Sequence, residues 1–400
     1  MDNIKNLTQT EQLKMYAIVI GASSESIHAI KTAQAKGLKV LAFDVDSKAK
    51  GLKYADEYFV VDIRNPMNIF SVVDGKGIHD NEMIVLPIPI GRCLVSVGAF
   101  NDHYGLVGVK LKTTEICTDK WLFHQTMSAQ KLRNINCILL EKGQNKVSVC
   151  RYPAIIKPRY GAGSREVLRL SCSADLDKVK EKLPFDEDFI IEDEVEGDEY
   201  GIDGMVFNGE FRLILTRKKL LTSPPYRQCV GYISVNKEDI RNMIIRSFMT
   251  KLVSAIKLDA GIVHADIIMD KGNPFVIEMS ARPSGHRLHD LFTPMVTRVD
   301  MISDFIDYAL GKKMDNYVNR NEGVYIIRYF DMESVIKRVP NREYMINKYS
   351  LLKYECNLVK GEKIKVKDGH SLMGRGFFII RGSSEKEILD RADMVLREYI

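Results

Sequence analysis

Asp266 and Glu278 are the side chains whose spacing says most about chemistry. Lys271-Gly272-Asn273 reads as a three-residue hairpin loop, and such a loop places Asp266 directly across from Glu278. Opposed carboxylates destabilise a sheet and raise each other's pKa. A divalent cation removes that conflict, and magnesium prefers one or two protein carboxylates together with phosphate oxygens. Alternation along the second strand puts Glu278 and Ser280 on one face, with Arg282 joining them if the strand continues. A metal ligand, a small polar group and a fixed cation then follow in series. The competing reading is a solvated hairpin with unpaired acids. His264, two residues before Asp266, shares its face and reads either as a contact to phosphate or substrate or as a core-edge histidine.

A second group lies upstream. Ile155-Ile156-Lys157-Pro158 ends an apolar strand, and Arg159-Tyr160-Gly161-Ala162-Gly163-Ser164 follows it. Glycines between strands let backbone N–H groups approach phosphate oxygens, and Lys157 is placed to reach a phosphate as a point charge. The strand-to-helix phosphate loop G-x-x-x-x-G-K-[ST] is absent, and a plain hairpin turn is the alternative. The acidic run Glu192-Asp193-Glu194-Val195-Glu196-Gly197-Asp198-Glu199 reads either as a nucleotide-binding linker or as a solvated strand end.

These residues need a scaffold, and the pattern supplies one. Tyr16–Ile20, Val40–Asp46, Glu57–Val61 and Met83–Pro87 read as strands alternating with helices, which predicts a parallel α/β domain over 14–115. From Tyr152 the texture changes to a small hairpin-plus-helix module ending near Val195. Strands at Gly204–Phe207 and Phe211–Thr216, a helix over Lys237–Ile256 and the Asp266–Glu278 hairpin follow it. Lys312 to Glu322 is polar and reads as a linker to a tail of strands at Val324–Tyr329 and Gly376–Ile380 and a final helix opened by Ser384 and Glu387.

Composition narrows the function classes. Fifty-eight basic against 53 acidic residues give a formal charge of +5, a small excess over 400 residues. It suits an anionic small ligand and points to neither nucleic acid nor membrane. Seven scattered cysteines without C-x-x-C spacing argue against a zinc site and a disulfide scaffold. Met1 to Lys14 is polar, without the apolar core of a signal peptide, and no stretch approaches the roughly 18 apolar residues of a membrane span. The expected compartment is the cytoplasm.

In their order these pieces resemble the ATP-grasp superfamily of ligases. The resemblance runs from about Ala17 to Gly311. It takes in Thr118-Asp119-Lys120, the Lys-Pro and glycine loop, the acidic hinge at Glu192–Val195, and Val276-Ile277-Glu278-Met279-Ser280-Ala281-Arg282-Pro283. The tail is similar to the C-terminal domain of L-amino acid ligases. The resemblance implies a grasp domain over 116–311 with a lid at about 152–195, and a separate α+β domain over 323–400. By position it implies that Lys120 and Lys157 hold the phosphates of ATP and that Gly161, Gly163 and Ser164 close over them. Glu192 and the Val195 backbone would bond adenine, and Glu199 the ribose. Asp266, Glu278 and Ser280 would bind Mg2+ or Mn2+, with Arg282 steadying the transferred phosphoryl. The family usually has Asn where Ser280 stands, which puts a second metal position in doubt.

The reaction so implied is ADP-forming ligation of a small carboxylate to an amine through an acyl phosphate. Another nucleophile, as in a carboxylase or a thiol ligase, is the alternative on the same activation. A dinucleotide oxidoreductase, suggested by Gly21-Ala22-Ser23-Ser24 and Asp44, lacks the G-x-G-x-x-G fingerprint. Grasp enzymes being often dimers, a homodimer is an assembly the resemblance allows.

Overall fold

The computed structural model describes residues 15–144, 149, 151–161, 163, 166–182, 187–223, 228–314, 322–365 and 369–400. They fall into two compact units, one of the described residues up to 111 with 302–314, the other of the remainder.

The first unit is built on β1 (Tyr16–Ile20), β2 (Lys39–Asp44), β3 (Glu57–Val60) and β4 (Met83–Val85). They form a parallel sheet in the order β3-β2-β1-β4. Ala17 to Ile20 and Val40 to Phe43 are completely buried, as unbroken apolar runs in a parallel sheet must be. Helix Pro66–Gly75 starts where Asn65 accepts from the Met67 amide and Pro66 needs no partner for a missing N–H. Asp44, the acid at dinucleotide spacing, accepts from the Ala22 amide at 2.6 Å and the Asp46 amide at 2.9 Å. Its carboxylate closes the turn after β1.

The second unit holds two further sheets. One comprises β5 (Cys137–Leu140), β6 (Ala154–Pro158), β7 (Leu168–Leu170) and β8 (Phe189–Asp193), in the order β5-β8-β6-β7. With helix Ser173–Lys182 it encloses a core of its own, including Leu140, Ile156, Leu170, Leu176 and Phe189. Strand β5 is not announced by the alternation pattern; it belongs to this sheet although it lies before Tyr152.

The other sheet is made of β9 (Asp198–Phe207), β10 (Glu210–Leu221), β11 (Cys229–Ser234), β12 (Gly261–Asp270), β13 (Asn273–Ser280), β14 (Val324–Tyr329), β15 (Lys353–Cys356) and β16 (Gly376–Gly382). Its order is β13-β12-β9-β10-β11-β14-β16-β15, so the strands of the tail extend the sheet that carries the hairpin. Ile233 of β11 shares a core with Ile326, Phe378 and Ile380. Strands β9 and β10 are longer than their apolar runs suggest. Their pairing runs on to Lys218 opposite Tyr200.

The hairpin differs from expectation in an informative way. Asp270 pairs with Asn273, so the turn holds two residues, not three. Lys271 and Gly272 both have positive φ, 49° and 88°, the geometry of a type I′ turn that favours glycine. A β-bulge between the Asp266 and Ile267 pairs then takes up one residue, Ile277, and Asp266 still faces Glu278.

Candidate active site

One cavity in the second unit is lined by residues from both of its sheets. Lys120, Lys157, Gly161 and Gly163 line it, as do Glu192, Val195, Glu199, Lys219, Asp266 and Glu278. The expected phosphate lysines, glycine turn, acidic hinge and paired carboxylates are thus brought together. Ser280, His264 and Arg282 are not among its lining residues. Ser164 lies outside the described residues.

Asp266 has one engaged oxygen and one open one. Its Oδ2 accepts from Lys219 Nζ at 2.8 Å, while Oδ1 is buried without a hydrogen-bond partner. Burial alone would raise this carboxyl, but the charges of Lys219 and His264 outweigh it and hold it below the ordinary range. Glu278, opposite, is 42% exposed, and Lys120 Nζ stands 3.9 Å from its Oε2. An orphaned anionic oxygen beside a second, accessible carboxylate is a donor set that fits a hard divalent cation. Among the described residues no three His, Cys, Asp or Glu converge into a closed cage. Two carboxylates leave the remaining positions to phosphate and water, as magnesium commonly requires.

Lys219 is the site residue that sequence reasoning missed. It lies on β10, which continues past the expected strand end at Thr216 to Leu221. The Lys219 ammonium is buried between Asp266 and Glu199, 3.3 Å from the latter. Burial would lower its pKa, and the two carboxylates more than reverse this and raise it.

Glu192 is held in a buried ion network. Lys157 Nζ donates to its Oε1 at 2.6 Å and Arg133 to its Oε2 at 2.7 Å, all three groups being buried. Burial opposes the charged form, yet the two cations hold the carboxyl at about 2. With both oxygens engaged, the side chain holds Lys157 in place. Arg133 reaches further, to the Val276 carbonyl on β13 at 3.1 Å, and so ties the hinge to the strand that bears Glu278.

Asp119 organises the glycine turn. It caps helix Lys120–Ala129 by accepting from the Trp121 and Leu122 amides, and it accepts two bonds from Arg159, at 2.9 and 2.6 Å. Lys120 closes the same link, its Nζ donating to the Gly161 carbonyl at 2.8 Å. A helix start and a loop forty residues later are thereby fastened at one point.

A family model described as an ATP-grasp domain matches residues 150–290. Solved structures agree along nearly the whole length. L-amino acid ligase from Bacillus licheniformis is 18% identical, with 97% of each chain covered and a TM-score of 0.77. N5-carboxyaminoimidazole synthetase from Staphylococcus aureus, complexed with ADP, is 12% identical, with 98% of this chain and all of that one covered and a TM-score of 0.72. Biotin carboxylase from Campylobacter jejuni is 15% identical, covers 98% and 93%, and has a TM-score of 0.67.

Within residues 150–290 the chain matches an ATP-grasp domain. At these identities the solved structures speak for the fold alone, and no curated protein sequence matches the chain. The mixed α/β architecture, with a parallel N-terminal sheet and antiparallel sheets after it, is the one the resemblance implies.

Behind Asp266 stands a buried polar group. Arg217, fully buried, donates to Asp203 at 2.6 Å, and Thr293 donates to the other oxygen of Asp203 at 2.7 Å. His264 lies between, its Nδ1 3.6 Å from Asp203 and its Nε2 3.7 Å from Asp266. Both contacts are longer than a hydrogen bond. His264 thus stands between Asp203 and Asp266 and does not line the cavity. Arg282 donates to the Pro283 carbonyl at 2.7 Å, just beyond the end of β13. Thr293 follows a π-helical turn, Leu288–Phe292. Such turns insert one residue and re-aim the side chains after them.

Proposed function

We propose that this chain is an ADP-forming carboxylate–amine ligase. The substrate carboxylate attacks the γ-phosphorus of ATP in line, ADP leaves, and an acyl phosphate results. An amine nitrogen then attacks the acyl carbon, phosphate leaves, and an amide or peptide-like bond is formed. The observation that carries this reading is the pairing of Asp266 with Glu278 in one cavity with Lys120, Lys157 and Lys219.

Charge supports it. Arg133 and Arg169 engage Glu192 and Glu194, which leaves Asp266 and Glu278 as facing acids that favour a triphosphate carrying divalent cations. Asp266 and Glu278 would hold Mg2+ or Mn2+, and the ion would neutralise charge between phosphate oxygens at the reacting centre. Ser280, one strand position pair further on, is a weaker candidate for a second ion.

The chain's own groups do the remaining work. Lys120 and Lys157 position the phosphates as point charges, and Gly161 and Gly163 let backbone approach them. Val195 and the hinge backbone take the adenine, and Glu199 takes the ribose. Arg282 serves the transferred phosphoryl from the substrate side, and His264 supports Asp266 from behind. The module of about 152–195 acts as the lid, excluding water from the acyl phosphate while the amine arrives.

A screen of amino-acid pairs for magnesium-dependent phosphate release tests the proposal. ADP as product, with turnover raised by an amine, is the expected result. AMP as product overturns the activation step. Turnover supported by bicarbonate or a thiol, and by no amine, overturns the choice of nucleophile.

A further inference from the structure

Arg217 on β10 and Asp266 on β12 both stand directly opposite Gly201 of β9, so the two side chains leave the sheet on one face. Gly201 puts no side chain between them. A methyl group there would lie 3.4 Å from Arg217 Nη2 and 3.5 Å from its Cζ, which places the guanidinium across the glycine. Two residues along, His264 stands opposite Asp203. Its Nδ1 is 3.5 Å from Arg217 Nη2, and its Nε2 is 3.7 Å from Asp266 Oδ1.

Packing alone does not account for this arrangement. Arg217 and Asp203 are both completely buried. A buried ion pair returns little net stability, and apolar residues of similar volume commonly serve a core as well or better. Arg217 is also poorly satisfied for a core group. Its Nη2 donates to Asp203, while Nε and Nη1 have no hydrogen-bond partner among the described residues. Asp203, by contrast, is held at both oxygens, by Arg217 and by Thr293. The carboxylate therefore fixes the guanidinium, and the guanidinium brings a cation into the row of Asp266. That charge is felt there: against burial, Lys219, His264 and Arg217 together hold the Asp266 carboxyl below its ordinary range.

We infer that Asp203 and Arg217 are positioning residues for a divalent cation, setting through His264 and across Gly201 the direction in which Asp266 offers its second oxygen. Lys219 takes Oδ2, so Oδ1 is the oxygen left for the cation. His264, held between the ion pair and Asp266, limits how that oxygen turns. Groups standing behind a metal carboxylate typically change metal affinity about 10–100-fold. The inference rests on the reading of Asp266 and Glu278 as metal acids, and adds to it two residues outside the lining of the cavity.

Mn2+ titrated into the full chain with the non-hydrolysable analogue AMP-PNP, followed by electron paramagnetic resonance, reads the site without turnover. Arg217→Met alone would leave Asp203 as an unpaired buried charge. The double variant Asp203→Asn/Arg217→Met removes both charges together and keeps an acceptor for Thr293. It is expected to keep the parent's melting temperature and to bind Mn2+ about 10–100-fold more weakly. A folded double variant with the parent's Mn2+ affinity overturns the inference. A double variant that does not fold shows the pair to be structural and overturns it too. Glu278→Gln in the same titration reports on the metal reading itself. If it binds Mn2+ as the parent does, that reading falls and the inference with it; if it alone loses Mn2+, only the inference falls.

Discussion

Glu278 faces Asp266 because Ile277 is bulged out of register between them and the turn. After a two-residue turn, an unbroken ladder would set Ile277 opposite Asp266 and send Glu278 to the far side of the sheet. The bulge sets both Ile277 and Glu278 against one partner, and both line the cavity. Glu278→Gln keeps the shape and removes one charge. Magnesium-dependent phosphate release is expected to fall at least about a hundredfold with the melting temperature unchanged, the scale on which a transition-state electrostatic contact acts. A variant as fast as the parent would end the metal assignment.

Lys219→Met should change the pH dependence of turnover as well as its rate. The ammonium holds Asp266 below the ordinary carboxylate range against the effect of burial. Without it that carboxyl rises, so the acid limb of the kcat/KM profile is expected to move to higher pH. An unmoved limb would mean that Asp266 does not govern it.

The Glu192 group should behave as a buried ion network. Arg133→Met leaves Glu192 with Lys157 alone at a buried position, and breaking such a pair costs about 3–5 kcal/mol. Chemical denaturation is expected to show a loss on this scale. A surface pair would lose less than about 1 kcal/mol, which is the outcome that contradicts the burial.

Acid should destabilise the protein in two stages. Burial and the Arg133 charge hold His124 down to about 4 from an ordinary 6.5, and Arg133 donates to its Nδ1 at 2.7 Å. The unfolded chain therefore takes up that proton first, and stability falls as pH drops from about 6.5 to about 4. Glu192 and Asp203, both held at about 2 despite burial, contribute stability present above their ordinary values and lost as pH falls toward 2. Denaturant midpoints against pH measure both. His124→Gln should flatten the upper stage and leave the lower.

Much of this arrangement was legible in the residues, for reasons that differ from place to place. The facing acids follow from a turn signal and a period of two. The turn was one residue shorter than read and the bulge restored the count, so the pairing was reached by two compensating departures. Lys219 was illegible because two lysines after an apolar run look like a solvated end; only the acids on β9 and β12 draw one of them inside. Arg133 and Arg217 hid in the same manner, since a sequence does not say which cations find buried partners. Strand β5 was missed because its four residues carry no alternation to distinguish them from a loop.

The cavity takes one wall from each of two separately hydrogen-bonded sheets: Lys157 and Glu192 from the four-stranded one, Asp266 and Glu278 from the eight-stranded one. No ladder joins those walls in the described residues; Arg133, reaching from Glu192 to the Val276 carbonyl, is a bolt between them. Loosening that bolt would leave every reactive group present and correctly made, yet let the jaws of the cleft drift out of alignment.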